Sequence, residues 1–169
     1  MDKVALPSEG LTTRPLADYQ SSHVRALIEG HRSGLVRPRS AVMTQRKSEG
    51  CPGLYFDPAL VADREMYLEF VRRGLRCGLL RIGKRCRERT GLFCVTKKSD
   101  ALRLVFDCRR GNQFFLPPPK VALFSGSGFQ DLQVEPGASL FTASFDVQAA
   151  FYQWAVPAWI SEYFCLPQV

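Results

Sequence analysis

A few residues of this 169-residue sequence have types and spacings that could do chemistry. Asp146 stands alone in "ASFDVQAAFYQWAVP", residues 143–157, an almost wholly apolar stretch. A carboxylate at a strand end supplies the hard oxygen that a cation such as Mg²⁺ prefers. The same residue, just before "VQAAF", could instead cap a helix by accepting a backbone N–H. The residues alone leave both roles open. Upstream, Lys97 and Lys98 fall at the tip of a hairpin pattern, with Arg103 on its second strand. Asp107 and Arg109 follow, two apart, hence on one face of a strand, where they can pair. An ordinary hairpin with a charged, solvated face fits this pattern as well.

Charge is concentrated in the middle of the chain. Residues 64–110 hold 14 basic and 5 acidic side chains, a net charge of +9, whereas residues 1–63 net +1 and residues 111–169 net −3. A clustered cation suits a polyanion, nucleic acid or a nucleotide triphosphate, though a solvated basic helix face would have the same composition. The six cysteines, at 51, 77, 86, 94, 108 and 165, form no C-x-x-C pair, and His23 and His31 lie far upstream. That spacing argues against a structural zinc site. No run of about 18 apolar residues predicts a membrane span, and the N-terminus lacks the apolar core of a secretory signal. An intracellular protein, cytoplasmic or nuclear and not secreted, with reduced thiols, is expected.

The elements that would position these groups are unevenly legible. Residues 17–30 read as a short helix ended by Gly30. Residues 30–53, rich in Gly, Ser, Pro and basic side chains, read as a flexible connector. From Asp57, an N-cap with Pro58 after it, a helix is predicted, with Gly74 and Gly78 ending or breaking it. A hairpin follows, with strands Leu92–Thr96 and Leu102–Cys108 joined by Lys97, Lys98, Ser99 and Asp100. Its alternation puts Leu102, Leu104 and Phe106 on one face and Arg103, Val105 and Asp107 on the other. "PPP" at 117–119 forces extended chain. A helical turn is expected around 129–132, a strand over "SLFTASFDV", residues 139–147, and a turn of helix after it.

In this order the pieces resemble the fingers and early palm of reverse transcriptases, the RNA-directed DNA polymerases of retroelements. The R-x-x-x-D-x-R-x-x-N pattern of that family falls on Arg103, Asp107, Arg109 and Asn112. A proline-containing stretch follows, then a strand with an Asp and an aromatic five residues later, here Asp146 and Phe151. The likeness covers about residues 57–169. It implies that Asp146 and the Val147 carbonyl bind Mg²⁺ and that Lys97, Lys98 and Arg103 meet a nucleotide triphosphate, with Arg103 gripping its oxygens by parallel bonds. It implies that Phe151 underlies the sugar and excludes a 2′-hydroxyl, a core phenylalanine being the plain alternative and Tyr152 the rival ring. Asp107, Arg109 and Asn112 would order the fingertip and touch template.

The resemblance also shows what is missing. Nucleotidyl transfer uses divalent cations about 3.5–4 Å apart, and the family completes its site with an aromatic-x-Asp-Asp hairpin. No Asp-Asp pair occurs in this sequence, and after Asp146 the one remaining acid is Glu162. The expectation is therefore an α+β chain, a fingers subdomain of helix and hairpin leading into the first strand of a truncated right-hand palm. Its organisation would be an N-terminal extension over 1–53, a fingers-like region over 54–135 and the start of a palm over 136–169. Such a piece of an RNA-directed DNA polymerase would be inactive alone, lacking the rest of the palm and the thumb. Its expected partners are an RNA or DNA template–primer and a deoxynucleotide, with Mg²⁺ in the complete domain and no membrane. The alternatives are a non-catalytic nucleic-acid-binding protein and a decayed retroelement remnant.

Overall fold

The computed structural model describes residues 3–10, 13–30, 34–98, 100–118, 120, 126, 128, 133–147 and 150–168. The predicted turn at 129–132 and Ser99 of the hairpin turn lie outside them. The chain is α+β and divides into a larger unit, residues 1–116 with 149–169, and a smaller one, residues 117–148.

The larger unit opens with β1 (Arg14–Pro15), a 3₁₀ turn (Leu16–Tyr19) and α1 (Ser22–Glu29). The Ser21 hydroxyl caps α1 at Val24 N–H. Next comes α2 (Arg39–Glu49), an 11-residue helix inside the stretch read as a connector. Its polarity hid it, because Val42 is its one buried residue. The predicted helix after Asp57 is two helices, α3 (Pro58–Ala62) and α4 (Arg64–Arg76). Asp57 does cap α3, accepting from Ala59 N–H at 3.0 Å. Asp63 then caps α4 at Met66 N–H, 2.9 Å, which marks the break between them. Gly74 does not end α4. A Cβ there would lie 2.7 Å from Leu80 Cδ1, so any larger residue would make the Leu80 side chain shift. Gly78, at φ +73°, is the terminating residue.

The hairpin forms as predicted, from β2 (Gly91–Thr96) and β3 (Leu102–Asp107), antiparallel with Cys94 opposite Leu104. Asp100 takes φ +60° in its turn, a conformation Asp tolerates better than most side chains. Residues 3–5, part of the expected N-terminal extension, lie beside β3. Leu102 N–H donates to Lys3 O at 2.8 Å, and Ala5 N–H to Leu102 O at 3.0 Å. A single turn, α5 (Arg109–Asn112), a 3₁₀ turn (Ala150–Gln153), β4 (Trp154–Ala155) and the turn α6 (Ala158–Ser161) complete the unit, with β4 parallel to β1.

Two apolar clusters hold it together. Val4, Leu60, Tyr67, Phe70, Leu92 and Leu104 form the first, with the Leu102–Leu104–Phe106 face of β3 against it, as the alternation requires. Val42, Phe114, Trp159 and Tyr163 form the second. Gly91 and Gly111 are needed for close approach. A Cβ on Gly91 would lie 2.0 Å from Tyr55 O, and one on Gly111 2.5 Å from Tyr163 O.

In the smaller unit, residues 133–147 contain no strand. The strand expected over residues 139–147 is therefore absent. Phe141 and Phe145 are 90% and 94% exposed. A strand is completed by hydrogen bonds to a neighbour, and this segment has none among the described residues.

Candidate nucleic-acid interface

The hairpin is the best-defined part of the predicted site. Lys97 closes its turn through backbone bonds, N–H to Ala101 O at 2.7 Å and O from Asp100 N–H at 3.1 Å. Lys98 and Arg103 are exposed and Lys97 half-exposed. Among the described residues none of these three has an ion-pair partner. The nearby Asp100 is occupied by Lys3. The hairpin thus presents three uncompensated cations on a fixed backbone.

Behind them, Asp107 and Arg109 pair as expected, but not across one strand face, because β3 ends at Asp107 and Arg109 opens the turn α5. Arg109 Nε donates to Oδ1 at 2.8 Å and its terminal nitrogen to Oδ2 at 2.7 Å, a two-bond fork. Asp107 Oδ2 also accepts Tyr55 N–H at 3.3 Å, and Arg109 reaches Gly53 O at 3.2 Å. The pair ties residues 53–55 to the end of β3. The Arg109 guanidinium, assisted by the N–H groups of Arg109 and Tyr55, holds the Asp107 carboxyl at about 2 against the modest opposition of burial. The Asp107 side chain is buried while Arg109 stays largely exposed. The solvated-face alternative therefore holds for Arg103 and not for Asp107. Asn112 is exposed at the end of α5, where its N–H donates to Cys108 O at 2.8 Å and its carbonyl accepts Phe115 N–H at 3.0 Å.

Phe151 lies in the 3₁₀ turn and is 92% exposed rather than in a core. It borders a shallow cavity of about 70 Å³ with Tyr152, Pro7 and the Cys77–Leu79 end of α4. Both rival rings therefore line the same hollow. Asp146 and Val147 belong to the smaller unit and are exposed on irregular chain, without the rigid strand expected to hold them. The residues that Asp146 would cap, 148 and 149, lie outside the described ones.

One carboxylate and one carbonyl are too few protein donors to hold two cations about 3.5–4 Å apart, even with water and substrate phosphate filling the remaining positions. Among the described residues no three His, Cys, Asp or Glu side chains come together. The donor set of this chain alone does not fit the metal centre of a polymerase.

Spacing gave no hint of a second ionic node. Arg46 of α2 donates to Glu88 Oε2 at 2.7 Å, to Gln113 Oε1 at 2.8 Å and to Arg110 O at 3.0 Å, and lies 5.1 Å from the Phe114 ring centre. Arg110 Nε approaches Glu88 Oε1 at 3.4 Å. Burial opposes ionisation of Glu88, but the Arg89 N–H, the Arg46 bond and both guanidinium charges outweigh it and hold its pKa below the usual range. Glu88 and Arg46 are both nearly enclosed, so the node joins α2, the basic loop and α5 from within. Only the polar α2 and an acid inside a basic run, "RERT", could have drawn notice to it.

No helix among the described residues is long and apolar enough to cross a membrane. Comparison with protein-family models, with curated proteins and with solved structures returns no match.

Proposed function

We propose that this chain is a fingers-side portion of an RNA-directed DNA polymerase, and that its own activity is to hold nucleic-acid and nucleotide phosphates. The observation that carries the reading is the hairpin, where Lys97, Lys98 and Arg103 have no acid partner among the described residues, on a scaffold pinned by Asp107 and Arg109. Fixed cations bind phosphate without first breaking an ion pair, and Arg adds a planar two-bond grip. Arg109, largely exposed beside its carboxylate, retains donors for a template phosphate. Phe151, on a hollow with Tyr152, is the candidate ring for sugar selection. Asp146, with the Val147 carbonyl, is proposed as one Mg²⁺ ligand of a complete palm whose other acids are not in these 169 residues. The exposure of Asp146 favours a second reading, in which binding is the whole function and no catalysis follows.

Fluorescence anisotropy with a labelled RNA–DNA hybrid, read across salt concentration, tests the binding. Each phosphate contact adds about 0.9 to the slope of log affinity against log salt. Replacing Lys97, Lys98 and Arg103 together by Ala is expected to flatten that slope by about 2–3 and to weaken binding at least about tenfold near 0.1 M salt. Equal affinity and slope in the triple variant would overturn the assignment of the hairpin.

A further inference from the structure

Cys86 and Cys165 are 79 positions apart in sequence, but the fold brings both residues to one backbone carbonyl, that of Glu88. The placement is fixed from both sides. Cys86 Sγ lies 3.6 Å from the Glu88 carbonyl oxygen, and Cys165 N–H donates to that same oxygen at 3.1 Å. Cys165 Sγ lies 3.8 Å from the carbonyl of Arg85, the residue just before Cys86, and 3.3 Å from that of Glu162. The surrounding backbone is a short parallel bridge, Arg89 beside Cys165, with Thr90 N–H donating to Cys165 O at 2.8 Å. Arg87 N–H donates to Glu162 O at 2.7 Å, and their side chains form an ion pair at 2.7 Å. The two segments are therefore held in register independently of any sulfur chemistry.

We infer that Cys86 and Cys165 form a reversible disulfide under peroxide, so that oxidation locks the C-terminal segment onto the basic loop of residues 81–90. The two thiols have different parts. Cys86 is exposed between Arg85 and Arg87, the setting in which a thiol meets an oxidant first. Its sulfur attacks one peroxide oxygen, the O–O bond breaks, and a sulfenic acid and one water result. Cys165 sulfur then attacks the sulfenic sulfur, the S–O bond breaks, and a second water leaves as the S–S bond forms. Two thiols lose two electrons and two hydrogens, and one hydrogen peroxide becomes two waters. Burial, with the Cys86 thiol, pushes the Cys165 thiol up to about 11, so little of it is thiolate at neutral pH and the second, intramolecular step speeds up as pH rises.

The test is oxidation of the full chain with hydrogen peroxide, followed by alkylation, non-reducing digestion and mass mapping, with Cys51→Ser as background to remove an exposed competitor. The expected product has lost two hydrogens, yields the peptide pair carrying Cys86 and Cys165, and recovers both thiols on reduction. Formation is expected to accelerate by more than about tenfold between pH 7 and pH 9 as the Cys165 thiolate fraction rises, and Cys86→Ser should leave Cys165 open to alkylation. Cys86 over-oxidised or joined to another cysteine while Cys165 remains free would overturn the inference. This outcome is independent of nucleic-acid binding, which the hybrid titration reads separately.

Discussion

The hairpin Gly91–Asp107 and the stretch 139–147 carry similar sequence signals and have opposite fates. Both combine β-favouring and apolar residues with one or two acids. In the hairpin, Leu92 is wholly buried and the backbone is paired from Gly91↔Asp107 to Thr96↔Leu102. In the stretch, Phe141 and Phe145 point to solvent and no ladder forms. A tight turn supplies each hairpin strand with its partner and the helix pair α3–α4 covers one face, whereas nothing among the described residues does either for 139–147. The two aspartates follow suit. Asp107 is fixed by a guanidinium and two backbone donors, and Asp146 is exposed on irregular chain.

Breaking the hairpin's core should have the largest effect. Leu92→Ala removes a fully buried side chain and is expected to cost about 3 kcal/mol in a urea melt. A loss below about 1 kcal/mol would mean that β2 is not held as described. Asp107→Ala should cost less, about 1–2 kcal/mol, because it strands the Tyr55 N–H while the exposed Arg109 turns to water. The pH dependence sharpens this. The folded-state pKa of Asp107, about 2, lies below the unfolded value near ~3.9, so its contribution is complete above the unfolded value and fades as pH falls through about 2. Acid titration of stability should lose that component in the variant. The smallest effects belong to the stretch, where Phe145→Ser and Asp146→Ala are each expected to change stability by less than about 0.5 kcal/mol. A loss above about 1 kcal/mol from Phe145→Ser would show that the stretch is packed in solution, and the contrast would fail.

Local signals accounted for what was legible. Asp57–Pro58 announced a helix start, and alternation over 102–108 assigned the faces of β3 correctly. Asp107 and Arg109 pair as their closeness in sequence suggested, though Arg109 lies past the end of β3 and not on its face. The α2 helix was masked because its exposed polar residues obscure a single buried valine. The α3–α4 break was overlooked because Asp63 caps from within an apparently continuous helix. The strand at 139–147 was overread, since its pattern states what could pair and not whether a partner exists. Arg46, Glu88 and Arg110 could not be associated at all, because their spacing matches no local period.

The sequence by itself determined the charge distribution, the helix start at Asp57, the hairpin and the cations it carries, because each depends on residues a few positions apart. It also determined that no Asp-Asp pair occurs in these 169 residues. Tertiary structure alone decided which charges are buried and paired, that Cys86 meets Cys165, that α2 joins a core, and that Asp146 has no strand behind it. Those outcomes depend on which distant segments come together, and loop closure over tens of residues leaves no periodic trace in the chain.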